Sequence, residues 1–146
     1  MLRVDRTVAL VLVAALLGAC SANEPVEEGG VIHELAGTRW ALVQLFGAAA
    51  SVSAGGREPF VALQTSDARV VGYAGCNRIS GRYELSGEQL RFSQIASTRM
   101  ACPEMIIEDA LLKALDATVR WSISGDDLNL IGADGTAVAS FEARNL

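Results

Sequence analysis

Arg78-Ile79-Ser80-Gly81-Arg82-Tyr83-Glu84-Leu85, continued by Ser86-Gly87-Glu88-Gln89-Leu90-Arg91-Phe92, is the stretch that settles the fold class. Ile79, Gly81, Tyr83 and Leu85 fall on one side of an extended chain, and Arg78, Ser80, Arg82 and Glu84 on the other. Successive side chains of a strand point to opposite faces, so this period of two marks a half-buried antiparallel strand. Ser86-Gly87-Glu88 is turn chemistry, and Gln89 to Ala96 resumes as a strand with Leu90 and Phe92 inward. The same order of strand, Ser-Gly-acid and strand returns at Ile123-Ser124-Gly125-Asp126-Asp127-Leu128-Asn129-Leu130. Two hairpins with one turn chemistry account for that echo.

Working outward, Thr38 to Phe46 is apolar and β-prone, and Ala48 to Glu58 reads as a loop of small residues. Phe60 to Gln64 and Ala68 to Tyr73 are short strands around Thr65-Ser66-Asp67. Thr118 to Ser124 sets Val119, Trp121 and Ile123 on one face. Asp134-Gly135 is a strong hairpin signal ahead of a last strand over Thr136 to Glu142. One helix is expected from Pro103 to about Ala117, because proline at the first helical position forfeits no hydrogen bond. Its apolar stripe is Ile107, Leu111, Ala114 and Leu115, widened by Met105, Ile106 and Leu112. So wide a stripe calls for packing against a sheet or across a barrel end. The acidic polar face argues against a membrane-surface helix. The fold class is therefore mainly β with one late helix (α+β).

The 146 residues are 51% hydrophobic and 20% charged, enough for one domain and too few for a multidomain enzyme. A net charge of −5 repels phosphate backbones, so no nucleic-acid partner is expected. The mean hydropathy of +0.31 is carried largely by the N-terminus. There Arg3 and Arg6 precede an apolar run from Val8 to Leu17, the layout of a secretory signal peptide. Such a run spans only ~15 Å as a helix, against ~30 Å of bilayer core. Leu17-Gly18-Ala19-Cys20 looks like a bacterial lipobox, in which the cysteine is acylated. This implies a signal peptide over 1–19, a lipidated Cys20 with a flexible tether over 20–34, and a folded domain over 35–146. Ser21 after the cysteine favours the periplasmic face of the outer membrane in a two-membrane cell.

With Cys20 lipidated, Cys76 and Cys102 are a spare pair in an oxidising compartment, and a disulfide between them is expected. Two reduced thiols are the alternative. Two cysteines and a distant His33 do not complete a four-ligand metal set.

Three stretches go beyond pattern: Leu35-Ala36-Gly37-Thr38-Arg39-Trp40, Gly75-Cys76-Asn77-Arg78-Ile79-Ser80-Gly81-Arg82-Tyr83, and Ser97-Thr98-Arg99-Met100-Ala101-Cys102-Pro103-Glu104. In this order they resemble the META/HslJ family of bacterial envelope proteins, from about Leu35 to Phe141. The resemblance implies a small antiparallel, barrel-like sheet with a single late helix. It also implies an envelope role linked to heat or antibiotic stress, and it brings no catalytic activity.

The residues read two ways. Gly75 and Gly81 bracket Cys76-Asn77 as a tight turn entering a strand, stapled to the helix start. Alternatively Asn77, Arg78, Thr98 and Arg99 form a polar recognition patch, with Arg99 also able to pair with Glu104 or Glu108. The single histidine, His33, sits at the end of the expected tether and makes a poor general base. No catalytic residue, metal or cofactor is expected. The leading expectation is a monomeric, non-enzymatic envelope lipoprotein, held at the membrane by its lipid. It would support stress tolerance through contacts with an envelope protein. The alternative is a carrier of a small apolar ligand such as lipid, since small barrels can enclose one.

Overall fold

A computed structural model describes residues 33–51, 56–102 and 105–144. The expected signal peptide, Cys20, the tether as far as residue 32, Pro103 and Glu104 lie outside the described residues. The elements are β1 (Arg39–Leu45), β2 (Ala48–Ala49), β3 (Phe60–Leu63), β4 (Arg69–Tyr73), β5 (Arg78–Ser86), β6 (Gln89–Ser97), α1 (Ile106–Ala117), β7 (Arg120–Ser124), β8 (Asp127–Ile131) and β9 (Ala137–Arg144). They form one nine-stranded antiparallel sheet in the order β2-β1-β3-β4-β5-β6-β7-β8-β9, and β1 pairs back onto β9. The sheet is thus a closed ring with β2 attached at its side, mainly β with one helix.

The two echoed hairpins share one geometry. Gly87 and Gly125 each lead a two-residue turn at positive φ, 58° and 61°, which glycine adopts without a Cβ penalty. The segment after β1 departs from the expected loop. Phe46 and Gly47 both take positive φ, and the chain folds straight back so that Ala48 and Ala49 pair with β1.

The weakest seam of the ring lies between β6 and β7. Their register reduces to Gln89 opposite Arg120, flanked by Leu90 N–H to Val119 O and Trp121 N–H to Glu88 O. Helix α1 packs against β6, β9, β1 and β8, so it spans the two sides of that seam. Leu111, Ala114 and Leu115 are fully buried beneath it. The interior is filled by Trp40, Val61, Leu63, Leu90, Leu128, Leu130 and Phe141, each less than 2% exposed. Each such large side chain contributes about 1.5–3 kcal/mol of transfer free energy. Trp40 keeps its indole N–H satisfied by donating to Leu35 O at 2.9 Å.

Two inward positions differ from the period-two reading of β5. Leu85 is 44% exposed, because it lies beyond the reach of the core at the end of the hairpin. Gly81 faces a β-bulge in β6, where Gln94 takes a φ of 53°. The extra residue turns Ile95 onto Gly81, and the glycine's missing side chain makes the space Ile95 occupies. In α1 the buried face also differs. Ile106 is 80% exposed, and Glu108 is buried in its stead.

Candidate functional site

The turn between β4 and β5 carries the most concentrated polar structure in the domain. Gly75 has a φ of 95°, and Ala74 N–H reaches Asn77 O at 2.8 Å to close the turn. That geometry drives the Asn77 side chain inward, where it is fully buried. Its amide group donates to Glu108 Oε2 at 2.9 Å and to Met100 O at 3.2 Å. Its carbonyl oxygen accepts from Met100 N–H at 2.8 Å and Thr98 Oγ1 at 3.2 Å. A primary amide offers two donors and two acceptor lone pairs, so Asn77 is saturated. The Cys76–Cys102 disulfide, across 26 residues with Cα atoms 6.2 Å apart, fastens the same two segments. The expected pairing is therefore present, and residues 98–102 are held to the 75–78 turn by both covalent and hydrogen bonds.

Of the four residues weighed as a recognition patch, three are brought together. Asn77 lies inside the fold, whereas Arg78 is exposed on its other side. Thr98 joins the two. Its hydroxyl donates to Asn77 Oδ1 and accepts from Arg78 N–H at 3.1 Å. Arg99 is exposed, and Glu108, one of its two expected partners, is engaged by Asn77 instead. His33, read as the end of a tether, packs on the domain. Its ring meets Trp40 edge-on at 6.0 Å, and Nε2 lies 3.0 Å from Asp126 Oδ1. Among the described residues no group of three or more His, Cys, Asp or Glu is placed to hold a metal ion.

Arg78 and Thr98 open onto a cleft on the outer face of the sheet, with a volume of about 880 Å3. Cross-strand register builds it. Phe60, Tyr73 and Arg78 are successive partners across β3, β4 and β5, with Thr98 hydrogen-bonded next to Arg78. One pleat away, Arg39, Ala62, Val71, Ser80 and Ala96 are partners across β1, β3, β4, β5 and β6. The second row carries small side chains on its central strands, so it is hollow beside the large side chains of the first.

Cations dominate the cleft. The Arg39 guanidinium stacks 4.0 Å above the Phe60 ring, and Arg57 lies 5.5 Å from the Tyr73 centroid. Glu58 is the carboxylate at the rim, and it already serves Arg144 at 3.2 Å, with Arg39 at 3.9 Å. The paired carboxylates Glu58 and Glu142 hold the Arg144 guanidinium pKa above its ordinary value. Arg39 Nε is buried and has no hydrogen-bond partner among the described residues. Sequence reading found Arg78 and Thr98 but missed Arg39, Arg57, Phe60 and Tyr73, because cross-strand register, not sequence proximity, assembles them.

A closed antiparallel ring with one helix across its seam, tied by a turn-to-turn disulfide, defines the class of this domain. The chain belongs to the META domain family, which it matches over residues 33–145. A protein from Burkholderia xenovorans, solved by NMR, is 30% identical with a TM-score of 0.63, over 77% of this chain and 85% of that one. A second NMR structure is 21% identical with a TM-score of 0.56, over 72% and 87%, and supports the fold. No curated protein matches the chain.

Proposed function

We propose that this chain is a lipid-anchored, non-catalytic protein of the bacterial envelope that supports stress tolerance by recognition at its outer cleft. The observation that carries this reading is the cleft's charge. Among the described residues Arg39, Arg57 and Arg78 line it against a single rim carboxylate, in a chain whose net charge is −5. A cleft lined by one sign of charge focuses the field and concentrates oppositely charged ligands, so this cluster suits an anionic partner. The anchor is Cys20, in the lipobox-like run Leu17-Gly18-Ala19-Cys20, and Ser21 favours the outer membrane. Two or three acyl chains hold a protein stably, where one is marginal.

The filled interior bears on the apolar-carrier alternative. Trp40, Phe141, Leu111 and Leu115 are fully buried in the interior, which favours a ligand on the outer face. The test is a deletion strain challenged with heat and with envelope-directed antibiotics. Wild-type chain restores survival, and an Arg57→Gln/Arg78→Gln chain does not. Equal survival with that variant sinks the cleft reading. Metabolic labelling with radioactive palmitate, lost on Cys20→Ala, checks the anchor.

A further inference from the structure

The cleft combines three features of a small-molecule site. It is walled by two aromatic rings, each already carrying a guanidinium: Phe60 under Arg39 and Tyr73 under Arg57. Its floor is small, with Val71, Ser80 and Ala96 leaving depth beside those rings. Its volume of about 880 Å3 falls within the ~300–1,000 Å3 of small-molecule sites. An open protein-contact face requires none of this depth.

The geometry points to a small amphipathic organic anion as the ligand of this cleft: a flat apolar body ending in one carboxylate or phosphate. This rests on the cleft being the functional surface. The apolar body would lie in the hollow over Val71 and Ala96, edged by Phe60 and Tyr73. The anionic end would meet Arg78 and Arg57, neither of which has a carboxylate within salt-bridge distance among the described residues. A guanidinium presents paired N–H donors that match a carboxylate or phosphate edge, and stacking on aromatic rings pre-orients that fork. Arg39 differs from the other two. Held by Phe60 and near Glu58, it keeps its Nε pointed where no described residue accepts from it. Ser80 adds a hydroxyl at the floor.

The experiment is amide NMR on the isotope-labelled full chain in lipid nanodiscs, titrated separately with 2-naphthoate, 2-naphthamide and inorganic phosphate. The amide and the carboxylate share one shape and differ in charge. Phosphate has the charge without the body. 2-Naphthoate is expected to shift Tyr73, Ser80 and Ala96 saturably, at least tenfold more tightly than either other probe. Arg57→Gln/Arg78→Gln is expected to remove that tenfold preference while the core resonances of Trp40 and Phe141 stay in place.

Equal binding of the naphthamide overturns the anion. Equal binding of phosphate overturns the apolar body. An acidic hexaglutamate peptide that shifts the cleft at lower concentration than 2-naphthoate replaces the small molecule with a protein partner. No cleft shifts with any probe overturns the ligand class. The survival assay is independent of these arms. Lost survival in the double variant without naphthoate binding leaves the cleft reading standing and removes only this ligand. Unchanged survival removes the cleft reading itself.

Discussion

Asn77 and Arg78 are neighbours in sequence and opposites in circumstance. Asn77 is inside, and each of its four hydrogen-bonding positions is filled by Glu108, Thr98 or the Met100 backbone. Arg78 is outside, facing a cleft where Arg39 keeps a buried nitrogen without a partner among the described residues. Buried polar groups in folded proteins are nearly always satisfied, so a saturated network reads as structure and an unsaturated one as a site. The difference separates two meanings of one motif. The Gly75-Cys76-Asn77 half builds the domain, and Arg78 with Thr98 presents it.

Breaking the inner network should produce the largest effect. Asn77→Ala leaves the buried Glu108 carboxylate without its amide donor and is expected to cost about 3–5 kcal/mol. Urea unfolding of the full chain measures this, and a loss below ~1 kcal/mol would mean the network is ornamental. Asn77→Asp refines the point. It sets a second carboxylate against Glu108, so the variant should be unstable at neutral pH and regain stability on acidification, as one of the pair takes a proton.

Next comes the disulfide. Cys76→Ser/Cys102→Ser releases a loop of 26 residues and should cost roughly 3 kcal/mol by loop-closure entropy. Its effect should shrink in the Asn77→Ala background, because both features fasten the same two segments. Strict additivity of the two would separate what the structure joins.

The cleft should behave in the opposite way. Arg78→Ala is expected to change stability by no more than about 0.5 kcal/mol, as exposed surface positions do. A large loss of stability there would erase the contrast with Asn77.

The smallest effect lies away from both regions and calibrates them. In the last turn Asp134 accepts from Thr136 N–H and from the Thr136 hydroxyl, at 3.0 and 2.8 Å. Those bonds favour the ionised carboxylate and lower its pKa from 3.8. A lowered native pKa stabilises the fold above the unfolded value and loses that contribution as pH falls through the folded one. Thr136→Val removes the hydroxyl bond, so NMR titration should move the Asp134 pKa upward. An unmoved titration would show that the backbone bond alone sets it.

Much of this architecture is legible in the residues. The alternation from Ile79 to Tyr83 and the paired Ser-Gly turns announce the hairpins, because pleat and positive φ act locally. The spare cysteine pair announces the disulfide through oxidation chemistry alone. Glu108 is different. Hydropathy assigns it to the wet side of α1, and the bond from Asn77, 31 positions earlier, makes its burial tolerable. β2 escaped for a similar reason. Ala48 and Ala49 have little strand propensity, and the Phe46-Gly47 turn delivers them to β1. The cleft is half legible. Alternation places Arg78 and Ser80 outward, but which residues of β1, β3 and β4 stand beside them is a matter of register across the sheet.

The pairing of β1 with β9 sets a timetable for folding. Arg39 lies opposite Arg144, so the first strand finds its main partner in the last strand to be made. Contacts this distant in sequence carry a high loop-closure cost and slow the search for the native state. Until β9 arrives, Trp40 and Leu42 have an open edge beside them, and a chain cut short before Ala137 has no ring to close. Closure of the ring therefore waits until β9 is available to β1.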